Sequence, residues 1–220
     1  MMNNQDGIYD YFNYLLGGIF MRIAIEGMDG SGKTTVAKYI SNYFNYKYIT
    51  KPFNFLFKDF GFTESQIKDI EWSLYKTHDE ALISLFYGMG LLYGTRVIKD
   101  DDVVYDRHFV SNYYWHGNEE TELLHDLFIN YSGKPDLTLL LRASTKTRME
   151  RIYKRDSHDR DLSNISMYDD GYDKMITFLE NKKFNYEIID TDNKTIDEVI
   201  ESCVNAIENK KKDYVRCLKK

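Results

Sequence analysis

The stretch IEGMDGSGKTT, residues 25–35, decides the fold of this chain. It follows the apolar run MRIAI (21–25) and precedes VAKYISNYF (36–44), whose apolar residues recur at helical spacing. Residues 27–34 fit the pattern G-x-x-x-x-G-K-[ST], in which a glycine-rich turn between a strand and a helix binds phosphate. Because both flanking elements are predicted here, we interpret the stretch as a nucleotide phosphate loop.

Each residue type in this loop has a chemical role. Glycines permit backbone conformations in which successive N–H groups converge on phosphate oxygens, and the helix that follows presents its positive end. We expect Lys33 to reach the β- and γ-phosphates and the Thr34 hydroxyl to bind Mg²⁺. The predicted triphosphate-binding residues of the loop are Gly27, Met28, Asp29, Gly30, Ser31, Gly32, Lys33, Thr34 and Thr35.

Several protein classes share such a loop. A GTPase switch would also carry a guanine-reading N-K-x-D and a D-x-x-G after a later strand. TDNKT (191–195) contains Asn193 and Lys194 but lacks the aspartate, and we find no convincing D-x-x-G. Motor and helicase ATPases usually have longer chains and more motifs. A small phosphotransferase remains, and such an enzyme needs an acceptor.

Strand-like and helix-like segments alternate along the chain. Short runs rich in Ile, Val, Tyr and Leu predict strands at 21–26, 46–50, 102–106, 136–141 and 185–190. Helical patterns occupy 33–44, 64–98, 119–131, 145–155, 166–181 and 195–210. This alternation predicts an α/β domain with a P-loop NTPase three-layer fold, a five-stranded parallel sheet with helices on both faces.

Composition argues against several other classes. The chain has 220 residues, 43% hydrophobic and 29% charged, as expected for one compact domain. Its formal net charge of -6 gives no reason to expect binding to nucleic acid or to a membrane. The two cysteines, Cys203 and Cys217, are too few for a disulfide framework, so a cytoplasmic location is expected.

Both ends of the chain are predicted to lie outside the main P-loop domain, 21–210. Residues 1–20 contain an apolar run, but no basic region precedes it and it is too short to span a bilayer. We expect an N-terminal extension there. Residues 211–220 are lysine-rich and are expected to form a solvated helix end, since cations stabilise the C-terminal end of a helix.

A second constellation follows the third predicted strand, in VVYDRHFVSNYYWHG (103–117). Asp106 stands at the carboxyl end of that strand, where ligands bind in open α/β sheets, and there it can orient Mg²⁺. The planar guanidinium of Arg107 is suited to gripping the phosphate of an acceptor. The alternative interpretation, a structural salt bridge at the strand end, is less favoured beside a phosphate loop.

A third group consists of arginines at helical spacing. Arg148, Arg151 and Arg155 share one helix face, and Arg160 lies just beyond. Because phosphoryl transfer spreads negative charge over the moving group, the protein mainly supplies positioning and countercharge. An arginine-rich lid at about 144–165 could close over two substrates and exclude water. The alternative is a solvated basic face paired with nearby acids.

Together these motifs resemble the thymidylate kinase family of nucleoside monophosphate kinases. That family pairs a loop like EGxDGxGKTT with DRYxxSxxAYQG after the third strand, and DRHFVSNYYWHG (106–117) keeps four of its residues, Asp106, Arg107, Ser111 and Gly117. RMERIYKRDSHDRDL (148–162) is similar to the family's lid, whose core matches Arg155, Asp159 and Arg160. The resemblance spans about 21–208 and implies an ATP- and Mg²⁺-dependent kinase that converts dTMP to dTDP.

The resemblance also implies individual roles. Asp29 matches an acid near the acceptor sugar, Asp192 matches a segment near adenine, and Gly30 stands where some relatives carry arginine, so the lid must supply the countercharge. Relatives are homodimers through helix packing, and FYGMGLLYG (86–94) could form such a face. The implied catalytic residues are Lys33, Asp106, Arg107, Arg151, Arg155 and Arg160, with Thr34 and Asp106 at the metal.

The acceptor half departs from the family pattern. Where the family has arginine and glutamate before a proline, this chain has Thr50 and Lys51 before Pro52, and Gly90 or a neighbour replaces an acceptor-gripping arginine. A protonated lysine cannot act as general base on a sugar hydroxyl, which counts against a nucleoside acceptor. The residues expected at the acceptor are Asp29, Phe53, Arg107, Ser111, Trp115 and His116. Two alternatives stay open: a kinase for a deoxynucleoside or other small acceptor, and a non-catalytic ATP-binding sensor.

Overall fold

A five-stranded sheet forms the centre of the protein, whose computed structural model describes residues 20–98, 101–159, 162 and 170–218. The strands are β1 (Arg22–Gly27), β2 (Lys47–Thr50), β3 (Val103–Asp106), β4 (Leu137–Arg142) and β5 (Tyr186–Asp190). They are all parallel and lie in the order β2-β3-β1-β4-β5. The predicted strands and the predicted α/β fold are therefore confirmed.

Nine helices occur in the described part of the chain. They are α1 (Lys33–Phe44), α2 (Pro52–Asp59), α3 (Glu64–Tyr75), α4 (Glu80–Val97), α5 (Phe109–His116), α6 (Glu122–Ser132), α7 (Thr145–Arg155), α8 (Asp170–Asn181) and α9 (Ile196–Leu218). The single helix predicted at 64–98 is wrong. The Asp79 carboxylate accepts a hydrogen bond from the Leu82 N–H at 2.8 Å, which caps a new helix, α4. Helices α2 and α5 were not predicted.

Helices cover both faces of the sheet because successive side chains of a strand point to opposite faces. On one face, Leu139 and Leu141 of β4 pack with residues of α1 and α9. On the other face, Leu140 packs with residues of α5, α6 and α8, including Phe178. The interior of β4 is therefore apolar on both sides, as expected for a parallel sheet.

The carboxyl ends of the strands form one edge, and the sequence motifs meet there. Ile25 of β1 pairs in register with Asp106 of β3, which brings the phosphate loop beside Asp106 and Arg107. Residues 1–19 of the predicted extension and 163–169 lie outside the described residues. Helix α9 continues to Leu218, into the lysine-rich tail. Within the described ranges, no helix is long and apolar enough to cross a membrane.

Candidate active site

The phosphate loop joins β1 to α1, and three of its glycines have positive φ, Gly27, Gly30 and Gly32. Helix α1 begins at Lys33, whose ammonium donates to the Met28 carbonyl at 2.7 Å and lies 3.6 Å from the Asp29 carboxylate. Burial, together with the charge of Arg107, lowers the pKa of Lys33 to about 8. Met28 itself is 1% exposed, so its carbonyl rather than its side chain belongs to the site.

Helix α7 packs directly on the loop at Gly30, whose φ is +83°. A Cβ at this position would lie 2.7 Å from the Arg148 carbonyl oxygen and 2.9 Å from the Arg148 Cα. Both the backbone conformation and this close approach favour glycine. The absence of an arginine at position 30 of the loop therefore has a steric cause. Any cation that assists Lys33 at the phosphates must come from outside the loop.

The Asp106 carboxylate is held at the end of β3 by two hydroxyl groups. Thr34 donates to its Oδ2 at 2.7 Å, and Tyr48 of β2 donates to the same oxygen at 3.1 Å. Burial and the neighbouring Asp106 charge raise the pKa of Tyr48 to about 12, so it remains a donor. The other oxygen, Oδ1, is buried without a hydrogen-bond partner among the described residues. Tyr48 lies outside every sequence motif, so sequence reasoning missed it.

Arg107 and Asp29 form an ion pair between the loop after β3 and the phosphate loop. Arg107 has a φ of 78°, a left-handed conformation that is uncommon for residues other than glycine and that recurs at functional sites. Burial works to raise the pKa of Asp29, but the charges of Arg107 and Lys33 outweigh it and hold the pKa well below 3.8. The ionised Asp29 thereby fixes the Arg107 guanidinium beside the phosphate loop.

Glu26, at the end of β1, organises the loop that carries Arg107, and sequence reasoning missed it. It accepts hydrogen bonds from the backbone N–H groups of His108 at 2.7 Å and Ser111 at 3.2 Å, and from the Ser111 hydroxyl. Burial raises the pKa of Glu26. The signal was an acidic residue inside an otherwise apolar strand. Ser111, predicted to contact the acceptor, instead commits its hydroxyl to this buried carboxylate.

The arginines of α7 occupy three different environments. Arg148 is fully buried over the Tyr172 ring, so it does not line the cavity, in contrast to Arg151 and Arg155. Arg151 donates to the Thr191 hydroxyl at 2.9 Å and carbonyl at 2.8 Å, which ties α7 to the end of β5. Arg155 pairs with Asp159 and its side chain is 59% exposed. Arg160 lies outside the described residues.

The loop, Arg107 and α7 enclose a cavity of about 630 Å³. The residues that line it are Asp29, Gly30, Ser31, Gly32, Lys33, Thr34, Thr35, Val36, Arg107, Arg151, Ile152, Arg155, Thr191, Lys194, Thr195, Ile196 and Val199. Asp192 is not among them. Its carboxylate accepts from the backbone N–H of Ser144 at 2.9 Å and from the Ser144 hydroxyl, so it anchors the start of α7.

Besides Ser111, three residues predicted at the acceptor do not line this cavity. Phe53 is 2% exposed and packs on Phe57 and Tyr87 in a small aromatic core, which makes it unavailable as a platform for a base. His116 lies 2.8 Å from a Glu80 carboxylate oxygen and stacks on Tyr87. Trp115 is partly exposed and makes an edge contact with Tyr114.

A model of the thymidylate kinase family matches residues 25–203, which include the phosphate loop, the Asp106-Arg107 pair and α7. The chain belongs to the thymidylate kinase family. Among its relatives is the probable thymidylate kinase of Methanococcus maripaludis strain C7, 30% identical over 203 residues that cover 88% of this chain and 98% of that protein. The probable enzyme of Methanocaldococcus jannaschii is 27% identical, with 86% and 96% covered.

Solved structures of two kinases share the fold. Thymidylate kinase from Ehrlichia chaffeensis superposes with a TM-score of 0.56 at 20% identity, covering 86% of this chain and 98% of that one. Deoxyadenosine kinase from M. mycoides with bound dATP gives 0.60 at 19% identity, covering 86% and 100%. Family membership identifies the chain as a nucleoside monophosphate kinase, which transfers a phosphoryl group to a nucleotide.

Proposed function

We propose that the protein transfers the γ-phosphoryl group of ATP to dTMP and forms dTDP and ADP, with Mg²⁺ at the donor phosphates. The observation that carries this proposal is that the three carboxylates at the site already take part in hydrogen bonds or an ion pair. Asp29 is paired with Arg107, Asp106 accepts from two hydroxyls, and Glu26 accepts from backbone N–H groups. The one buried oxygen among them without a hydrogen-bond partner in the described part of the chain, Asp106 Oδ1, is assigned below to Mg²⁺. No carboxylate is then left to deprotonate a sugar hydroxyl, so the site suits an acceptor that is already anionic.

The residues around Asp106 fit a magnesium ion. Asp106 offers a buried oxygen without a hydrogen-bond partner among the described residues, and the Thr34 hydroxyl lies beside that carboxylate. No group of three or more potential protein ligands occurs in the described part of the chain. This agrees with Mg²⁺, which is usually held by one or two carboxylates, water and substrate phosphates. When bound there, the ion would neutralise charge on the donor phosphates.

The cations around the cavity have separable tasks. In the proposed reaction, Lys33 and the loop N–H groups bind the donor and Arg107 binds the acceptor phosphate; these residues line the same cavity. Arg151 donates hydrogen bonds to the hydroxyl and carbonyl of Thr191 and so positions α7. Arg155 can exchange Asp159 for the transferring phosphoryl group, because its side chain is largely exposed and lines the cavity. Countercharge from Arg155 would then appear only when both substrates are bound.

An acceptor panel tests the proposed reaction. The full chain is incubated with MgATP and, separately, dTMP, dUMP, dCMP, dGMP, thymidine and deoxyadenosine, and ADP formation is measured. We expect the highest kcat/KM with dTMP and negligible turnover with the nucleosides. Preferred turnover of a nucleoside would make the chain a nucleoside kinase. ATP binding without turnover of any acceptor would instead support a sensor.

The proposed enzyme is a cytoplasmic homodimer. Helices α4 and α6 pack together, and each exposes apolar side chains at helical spacing. These side chains, called the apolar face below and each at least 41% exposed, are Leu82, Leu85, Met89, Leu123, Leu127 and Tyr131. A continuous exposed apolar surface usually marks an interaction site, and a second copy of the chain would bury it. The buried free thiol of Cys203 suits a reducing compartment.

A further inference from the structure

Lys51 directly follows β2, at the same edge of the sheet as the active-site loops. The preceding residue, Thr50, pairs in register with Asp106 at the end of β3. Lys51 is the first residue after β2 and Arg107 is the first residue after β3, so the two residues lie side by side at this edge of the sheet. The Lys51 side chain is exposed and its backbone begins α2, because the Asn54 N–H donates to the Lys51 carbonyl at 2.8 Å.

Lys51 differs from Lys33, Arg107 and Arg155 in having no carboxylate partner among the described residues. Lys33 and Arg107 both contact Asp29, and Arg155 contacts Asp159. By contrast, no carboxylate of the described residues lies within 4.0 Å of the Lys51 ammonium. Its charge nevertheless acts on the site: after burial, Arg107 and Lys33, it is a further contributor to the pKa of Asp29, which it lowers.

The packing of α4 on α2 explains why a cation is needed at this place. A Cβ at Gly90 would lie 2.5 Å from the Phe53 Cα and 2.8 Å from the Pro52 carbonyl carbon. No side chain fits between the two helices there, so α4 cannot project an arginine toward the acceptor from this position. The backbone that Gly90 touches is the segment immediately after Lys51, which places a cation next to the blocked position.

We propose that the Lys51 ammonium binds the phosphate of the acceptor together with Arg107 and thereby selects a nucleoside monophosphate over a nucleoside. This inference rests on the proposed function and names the residue that determines the acceptor class. A cation without a partner next to a paired guanidinium can neutralise the second charge of a phosphate dianion. It contributes nothing to a neutral nucleoside.

Calorimetric binding to the full chain tests this role, with dTMP and thymidine as the two probes. Lys51→Met removes the charge, and Lys47→Met is the matched control, because Lys47 is an exposed lysine at the opposite end of the same strand. We expect the Kd of dTMP to rise about 10- to 100-fold in Lys51→Met, as for loss of a charge-assisted hydrogen bond, with that of thymidine changed less than about twofold. Lys51→Arg should restore most of the affinity for dTMP.

Two results would overturn the inference: equal weakening of dTMP and thymidine, which indicates a role in shaping the cleft, or no change for either. Lys47→Met should match the wild type with both probes. Turnover by the wild-type chain is measured separately. A wild type that binds dTMP without phosphorylating it would refute the proposed reaction, while the comparison of dTMP with thymidine would still decide the role of Lys51.

Discussion

At the scale of single residues, Asp29 shows how one carboxylate serves both halves of the site. The family resemblance predicts that it contacts a sugar, and the structure places it between Arg107 and Lys33. Removing one member of a buried ion pair leaves the other charge without compensation, which is costly. Asp29 therefore contributes to the stability of the ligand-free protein as well as to the alignment of Arg107.

The pH dependence of stability tests this role of Asp29. Its pKa in the folded protein lies below the ordinary value of 3.8, so its stabilising contribution is complete above that pH and is lost as the pH falls below it. We expect Asp29→Asn to reduce the free energy of unfolding at pH 7 by about 3 kcal/mol. As the pH falls below 3.8, the wild type should therefore lose more stability than the variant.

Urea unfolding at a series of pH values makes this measurement. Asp69→Asn, at an exposed position of α3, is the control and should give a curve parallel to that of the wild type. A curve for Asp29→Asn that also runs parallel to the wild type would contradict the ion pair.

At this scale, the residues that the sequence motifs single out lie together in the structure where the chemistry is local. The loop residues and Asp106-Arg107 belong to contiguous motifs, so their order in the sequence is enough to identify them. The nearest hydrogen-bond partner of Glu26 at the site, His108, is 82 positions away in the sequence, and that of Tyr48, Asp106, is 58 positions away. Such pairs come together only when the chain folds. The same reason explains the failure for Ser111, whose hydroxyl is taken by Glu26.

At the scale of elements, the contact between α7 and the phosphate loop links the lid to the donor site. Gly30 lies against the backbone of Arg148, so a change in the loop must move α7. Gly61 is a close match for comparison, because its φ is +84° against +83° at Gly30, while no atom lies within 4 Å of a Cβ at Gly61. The two glycines thus differ in surroundings and not in backbone strain.

Comparing Gly61→Ala with Gly30→Ala separates the cost of backbone strain from the cost of a steric clash with α7. We expect Gly61→Ala to lower the free energy of unfolding by about 1–2 kcal/mol, the cost of a left-handed alanine. Gly30→Ala should cost about 1–3 kcal/mol more, because the added methyl group overpacks the loop against α7. Urea unfolding of both variants measures the difference. Equal losses of unfolding free energy would mean that α7 shifts to accommodate the methyl group at no energetic cost and that the loop could accept larger residues.

The elements also show the limits of pattern reading. The segment 64–98 is apolar enough to suggest one helix, but the Asp79 cap begins a second one. Helix α2 starts at Pro52 and α5 at Phe109, each within three residues of a strand end, and both are only eight residues long. Short helices provide too few turns for a periodic signal. These two helices carry the four predicted acceptor residues that do not line the cavity, Phe53, Ser111, Trp115 and His116.

At the scale of the whole molecule, the parallel pairing of the strands and the layers follow from a few local rules. Alternating strands and helices require parallel pairing, and the apolar strands require cover on both faces. The sequence therefore sufficed for the layers and the strands. It did not reveal which apolar residues remain exposed, because α4 is apolar around most of its circumference and its buried side is fixed by Phe53, Phe128 and the sheet.

The apolar face of α4 and α6 leads to the last prediction, on assembly. A chain of 26.1 kDa should sediment at twice that mass if this face pairs with a second copy. Leu85→Lys with Met89→Lys places two charges at its centre and should raise the dimer dissociation constant about 100-fold or more. Tyr43→Lys is the control, since Tyr43 is 59% exposed on α1, across the sheet, and should leave the dimer intact. Sedimentation equilibrium of the three proteins decides the matter, and a monomeric wild type would contradict the proposed assembly.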